Sequence, residues 1–155
     1  MAKAPNSPTS KKKQGNNLIR QILLSGSASE KRAVFSFRIT DADEKILLKF
    51  KLYARSNFPR YFSQKSAEFH DDLVLDYIAS YKGRSNNLDA AFRGAAKTSM
   101  LKLFLAFVIS CDEDATHRYI KVISKDLTNS IQIVTDVYNL LVETQAIFGD
   151  QFARE

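Results

Sequence analysis

The sequence contains one cysteine, no tryptophan, five glycines and three prolines among its 155 residues. A single cysteine, Cys111, excludes an internal disulfide framework and is typical of a protein in a reducing compartment. No segment stays apolar for the roughly 20 residues that a membrane-spanning helix needs. The N-terminus also lacks the apolar core of a signal peptide. We therefore expect a cytoplasmic protein with no membrane insertion.

Residues that carry catalysis or bind metals are also sparse. The segment "FHDDL" contains His70, Asp71 and Asp72, but no further histidine or cysteine follows at ligand spacing, which favours a solvated helix face. The acidic segment "CDED" lacks the spacing of a calcium loop. With only five glycines, no glycine-rich phosphate loop is found either. The sequence therefore predicts no enzyme, no metal site and no cofactor.

Positive charge is present, and its distribution is uneven. The formal net charge of +6 lies within the first 32 residues, and the remaining residues are neutral overall. Residues 1–30 are predicted to be a basic, largely disordered arm containing Lys11, Lys12 and Lys13, in which "NLIRQILL" favours two helical turns. Lys and Arg supply most non-specific affinity for nucleic acid, so the arm suits a polyanion, although it also fits a tail that only adds solubility.

The next segment, residues 31–83, begins with alternating side chains. The stretch "RAVFSFRI" predicts one short strand, with Val34, Ser36 and Arg38 on the face opposite the phenylalanines. Two helices are predicted after it, at about 42–55 and 63–81, and the first is apolar over more of its surface than one core requires. A lone strand cannot satisfy its own backbone hydrogen-bonding groups, so it needs a partner.

Residues 87–155 are predicted to form a helical region for oligomerisation or partner binding. One helix is expected at about 87–110 and a longer one at about 114–148. In the longer helix apolar residues recur every seven positions, as in a bundle or coiled-coil seam. The row is flanked by Ile123, Ile131, Val137 and Tyr138. The seam residues are Ile120, Leu127, Val134, Leu141 and Phe148. The pattern leaves open whether the seam packs within the chain or against another copy.

The order of basic arm, strand, helix, turn and helix resembles the ribbon-helix-helix family of DNA-binding proteins over about residues 32–82. That resemblance implies a mostly α fold, with one strand and two helices per chain in an intertwined dimer, followed by the C-terminal helical region. It also implies that a two-stranded ribbon enters the major groove, where Val34, Ser36 and Arg38 would contact bases. The residues expected against the DNA backbone are Lys31, Arg32, Asn57, Arg60, Ser63 and Lys65.

Two hypotheses about function follow. The first is a sequence-specific protein that binds double-stranded DNA as a homodimer or homotetramer. Such a protein resembles accessory proteins of conjugative relaxosomes, with a relaxase or other plasmid protein as partner, or plasmid-borne repressors and partition proteins. The alternative is an all-helical scaffold or interaction protein whose basic tail binds nucleic acid non-specifically.

Overall fold

The computed structural model describes residues 8–62, 67–84, 96–115, 120–124 and 126–148. Over these ranges the chain forms six α-helices and one 3₁₀ turn, Pro59–Phe62. The helices are α1 (Pro8–Ser25), α2 (Ala28–Phe35), α3 (Asp43–Asn57), α4 (Phe69–Tyr81), α5 (Lys97–Cys111) and α6 (Leu127–Phe148). Within the same ranges, no helix has the length and apolar character needed to cross a bilayer.

The segment that the sequence predicts as a strand is largely the end of a helix. α2 starts at a capping box, in which the Ser27 hydroxyl accepts from the Glu30 N–H and the Glu30 carboxylate accepts from the Ser27 N–H. The helix continues to Phe35, and the N–H and hydroxyl of Ser36 both donate to the Arg32 carbonyl. The part of the chain that the structure describes contains no strand, so the predicted ribbon-helix-helix fold is wrong.

The backbone after α2 finds its partner inside the same chain. The Phe37 N–H donates to the Cys111 carbonyl, and the Phe37 carbonyl accepts from the Glu113 N–H, both at 3.0 Å. This forms one isolated bridge. The consecutive residues Phe35, Ser36 and Phe37 are all buried, whereas a half-exposed strand would bury every second side chain. Helix capping and one bridge thus replace the intermolecular ribbon.

α5 lies at the centre of the core, because eight of its fifteen residues are buried. Its Phe107 ring stacks on Phe37 with 4.9 Å between ring centroids. The same ring meets Phe50 and Tyr53 of α3 at 5.6 and 5.4 Å. Aromatic pairs of this kind contribute about 0.5–1.5 kcal/mol each beyond their buried area. They join α3, α5 and the segment after α2 into one core.

The junction between α1 and α2 requires a glycine. The Gly26 N–H donates to the Ile22 carbonyl at 2.8 Å, and a Cβ at position 26 would lie only 2.5 Å from that oxygen. α1 is a longer helix than the two turns predicted from "NLIRQILL", and its backbone is helical through Lys11, Lys12 and Lys13. Leu23 packs against the core, so the end of α1 is attached to the rest of the fold.

The later helices agree with the sequence in type but differ at their ends. α3 matches the predicted span within two residues at each end, whereas α4 begins at Phe69 instead of about residue 63. α6 begins at Leu127 instead of about residue 114, and residues 120–124 are not helical. The acidic residues after α5 contact the segment after α2 instead, since the Ile39 N–H donates to the Asp114 carboxylate at 3.1 Å.

Candidate functional site

α6 has an inner face that packs on α5 and α2. Val137, Leu140 and Thr144 on this face are buried. The Thr144 hydroxyl lies 2.8 Å from the hydroxyl of Tyr53 in α3, and it also contacts the Leu140 carbonyl at 2.9 Å. Burial raises the pKa of the Tyr53 hydroxyl far above its usual value, so this group stays protonated. The inner face is therefore fixed by apolar packing and one buried polar contact.

Both charged residues of α6 form ion pairs with other parts of the chain. Asp136 pairs with Lys102 of α5 at 2.5 Å. Glu143 accepts two hydrogen bonds from the Arg60 guanidinium, each 2.8 Å long. Hydrogen bonds from Lys102 and then Gln132 lower the pKa of the Asp136 carboxyl. Partly exposed pairs stabilise little, so these two pairs only add to an orientation that the buried inner face of α6 already sets.

The outer side of α6 carries a continuous stripe of large apolar side chains. We call this stripe the α6 apolar face, and it consists of Leu127, Ile131, Val134, Tyr138 and Val142. These residues remain between 44% and 74% exposed. Their spacings of four, three, four and four residues place them along one side of the helix. At 1.5 Å per residue the stripe is about 22 Å long.

Uncharged polar residues border the α6 apolar face. By helical geometry Thr128, Thr135 and Asn139 lie along one edge, and all three are exposed. Singly exposed apolar residues are common on protein surfaces, whereas contiguous apolar patches are often found at interaction sites. An apolar centre containing an aromatic ring, without charge and with a polar rim, is typical of protein–protein interfaces.

The structure divides the predicted seven-residue seam. Leu127 and Val134 lie on the α6 apolar face, whereas Leu141 is half-buried against the core. Ile120 precedes α6, and Phe148 is its last residue. The division has a geometric cause, because seven residues fall about 20° short of two full helical turns and a seven-residue row drifts around a straight helix.

Ile131 and Tyr138 therefore belong to the α6 apolar face, although the sequence pattern places them beside the seam. Val142 was missed altogether. Successive residues of the α6 apolar face are four, three, four and four positions apart, and this spacing identifies them. That spacing was readable in the sequence, but the choice of the outward side depends on which side of α6 is buried against α5 and α2.

An apolar cavity of about 430 Å³ lies between α4, α5 and residues 120–124. It is lined by Tyr77, Ser80, Tyr81, Leu101, Phe104, Leu105, Ile120 and Lys121. The Tyr81 hydroxyl donates to the Asp112 carboxylate at 2.6 Å, and the Tyr77 hydroxyl donates to the Lys97 carbonyl. These hydroxyls are therefore used within the fold. Small-molecule sites usually add several convergent polar groups to an apolar wall, so this cavity is a weaker candidate than α6.

The residues expected to contact DNA bases do not share an exposed face. Val34 packs against the core, and Ser36 is buried with its hydroxyl donating to the Arg32 carbonyl. Arg38 is exposed, and its Nε lies 3.0 Å from the Glu113 carboxylate. Because these residues end a helix and enter a bridge within the chain, the hypothesis of a β-ribbon reading the major groove is wrong.

The residues expected against the DNA backbone are distributed over separate elements. Lys31 and Arg32 are half-buried in α2. Asn57 ends α3, and Arg60 in the 3₁₀ turn is engaged by Glu143. Two further candidates, Ser63 and Lys65, lie outside the described residues.

The two surfaces with a chemical rationale are thus the α6 apolar face and the basic N-terminal arm. The first offers apolar side chains on a rigid helix, and the second offers positive charge near α1. Neither surface needs a β-ribbon. Comparisons of the chain with protein-family models, with curated proteins and with solved structures gave no match.

Proposed function

We propose that this chain is an all-helical interaction protein that docks a helical protein partner on the α6 apolar face. The observation that carries the proposal is the exposure of five large apolar side chains in one stripe, on a helix whose other face is fixed to the core. Covering apolar surface is favourable by about 25 cal/mol per Å². A partner that covers the stripe therefore gains binding energy from a surface that is already ordered.

The chemistry of α6 selects a helix as the partner. The backbone groups of a helix interior are already paired within the helix, so an extended peptide could not add itself by backbone hydrogen bonding. Side chains spaced four and three residues apart form ridges and grooves that a second helix can interlock with. The tyrosine ring of Tyr138 adds a large contact area near the middle of the stripe.

A generic helical peptide tests this docking function. The probe is a labelled amphipathic peptide with Leu and Ile at alternating three- and four-residue spacing and uncharged polar residues elsewhere. We expect it to bind the wild-type chain and to bind Ile131→Lys at least tenfold more weakly, because the lysine would place a charge inside an apolar contact. Fluorescence anisotropy measures the affinity, and circular dichroism checks that the variant retains its helix content.

Leu48→Lys is the matched control, because Leu48 is 66% exposed on α3 and lies outside the α6 apolar face. This variant should bind the peptide as the wild type does. A peptide with the same composition in scrambled order should bind neither protein. Equal affinity of the ordered peptide for the wild type and for Ile131→Lys would show that α6 is not the docking surface.

The distribution of charge supports a second part of the proposed function, namely a basic arm that binds nucleic acid without sequence preference. Seven cations of the described helical body are engaged by carboxylates of the same chain. These cations are Arg38, Lys45, Lys51, Arg60, Lys82, Arg84 and Lys102. The first 32 residues carry the whole formal excess of positive charge. When the lysines of such an arm neutralise phosphates, counterions are released, and the arm therefore binds a duplex of any sequence.

The salt dependence of binding tests the arm. We expect a random-sequence DNA duplex to bind the wild-type chain with an affinity that falls steeply with salt concentration. Replacing Lys11, Lys12 and Lys13 with alanine should lower the slope of log affinity against log salt by about 2.7, at roughly 0.9 per phosphate contact. Lys121→Ala, an exposed lysine outside the arm, should leave the slope unchanged. An unchanged slope in the triple variant would contradict the proposal.

A further inference from the structure

We propose that the helix docked on the α6 apolar face is α6 of a second copy of this chain, lying antiparallel across a two-fold axis between Val134 and Thr135. This inference rests on the docking function proposed above and identifies its partner. The observations that carry it are the symmetry of the stripe, the absence of free charge on it and its size.

Four of the five residues of the α6 apolar face are placed symmetrically about its centre. Leu127 and Val142 lie equally far from the point between Val134 and residue 135, and so do Ile131 and Tyr138. In an antiparallel pair Leu127 therefore faces Val142 of the other copy, and Ile131 faces its Tyr138. An isologous interface demands that one patch be complementary to itself, and this arrangement brings four of the five large side chains of the stripe against one another. Val134, next to the axis, lies against Thr135 of the other copy.

The electrostatics of α6 permit close contact between two copies. Its two charged side chains, Asp136 and Glu143, are held by Lys102 and Arg60 of the same chain. A second copy thus brings no like charge against the stripe, and a partner with a charged rim would find no counter-charge there. Antiparallel helices also place the positive end of one helix dipole near the negative end of the other.

The size of the stripe fits a small dimer. Five side chains with these exposures present on the order of 500 Å² per copy, so a pair buries on the order of 1,000 Å². That area lies near the lower limit of specific interfaces. We therefore expect a reversible dimer that dissociates at concentrations on the order of micromolar.

Sedimentation equilibrium of the full chain tests the assembly. Between roughly 1 and 100 μM, the wild type should shift from monomer to dimer, as expected for a micromolar dissociation constant. Ile131→Lys should remain monomeric over the whole range, and Leu48→Lys should dimerise as the wild type does. A wild type that remains monomeric throughout, or an Ile131→Lys variant that dimerises equally well, would overturn the proposal.

Disulfide cross-linking tests the orientation. We expect an equal mixture of Leu127→Cys and Val142→Cys chains to give a cross-linked dimer on oxidation, because the two positions face each other. Each variant alone should give none, since its two cysteines would lie about 22 Å apart along the helix pair. The wild type controls for Cys111, which is buried and whose thiol pKa is raised by burial. Cross-linking of Leu127→Cys alone would show a parallel pair and overturn the antiparallel arrangement.

The two sets of measurements separate this inference from the docking function. If the generic peptide binds at α6 and the chain stays monomeric, the second copy is not the partner but the docking function stands. If the peptide does not bind and the chain stays monomeric, the stripe is covered within the chain and both proposals are wrong. A dimer abolished by Ile131→Lys supports both.

Discussion

α5 and α6 are both rich in apolar residues, but they use them differently. α5 is apolar on nearly all sides and is surrounded by α3, α4 and α6, so its side chains form the centre of the core. α6 buries only one side, and its outer side keeps five large apolar residues in contact with solvent. Apolar content alone therefore does not distinguish a core helix from a helix with one exposed apolar side.

The polar residues of the two helices explain the difference. In α5, Lys102 extends from the helix to Asp136 of α6, while Ser110 is buried near the end of the helix. In α6, the charged residues lie on the flank that meets the body, and uncharged residues border the outer stripe. The charged residues thus lie toward the body of the chain, and the apolar residues on the outer side of α6 are exposed to solvent.

The largest expected difference in stability is between a leucine substitution in α5 and the same substitution in α6. Leu103 of α5 is fully buried, whereas Leu127 of α6 is 74% exposed. Leu103→Ala should lower the free energy of unfolding by about 2–5 kcal/mol, because it removes buried contacts and leaves a cavity. Leu127→Ala should change it by less than about 0.5 kcal/mol, since the side chain is in water.

Urea unfolding at a concentration where the chain is monomeric measures both values. The same deletion of methyl groups is made in each variant, so the difference reports burial alone. A loss above about 2 kcal/mol for Leu127→Ala would place that residue in the core and contradict the exposed stripe.

Sequence patterns predicted the helices that depend on local periodicity. α3, α4 and α5 were expected from their apolar spacing. The strand prediction was wrong because alternation in "AVFSFRI" competes with a capping box that starts six residues earlier, at Ser27. The pair Ser27 and Glu30 was a readable helix start, and recognising it would have redirected the interpretation of Phe35 and Phe37.

The candidate site could be predicted only in part, because its orientation is a tertiary property. Leu127 and Val134 were identified from the seven-residue row, and both are exposed on α6. The sequence does not show that Leu141, in the same row, turns toward the core. That outcome depends on the drift of a seven-residue row around the helix and on which side of α6 packs on α5 and α2, which are distant in sequence.

A smaller effect on stability is expected from substituting two tyrosines, one buried against the inner side of α6 and the other on its exposed stripe. The Tyr53 hydroxyl is buried 2.8 Å from the Thr144 hydroxyl and joins α3 to the inner side of α6. Tyr53→Phe removes that contact and should cost about 1 kcal/mol of stability. Tyr138→Phe, on the exposed stripe, should leave the stability within about 0.5 kcal/mol of the wild type. Equal losses in thermal unfolding would show that the buried contact does not hold α6.

The smallest effect concerns the ion pair that joins the two helices. The pKa of Asp136 is lowered in the folded chain by hydrogen bonds from Lys102 and then Gln132. A carboxyl with a lowered pKa stabilises the fold above its unfolded value of about 3.9, and this contribution is lost as the pH falls through the folded pKa. Asp136→Asn should therefore lower Tm by about 1–2 °C at pH 7 and make the decline in Tm below pH 4 shallower.

Lys102→Met provides the test of coupling, because it removes the other half of the pair. If Asp136 acts through Lys102, the double variant should lose little more stability than either single variant. Plots of Tm against pH from 2 to 7 should then be similar for the two single variants and the double variant. Additive losses would mean that each residue stabilises the chain independently. The rotation of α6 would then depend on its buried inner side and on Arg60, and the exposure of the stripe would survive loss of the Lys102 pair.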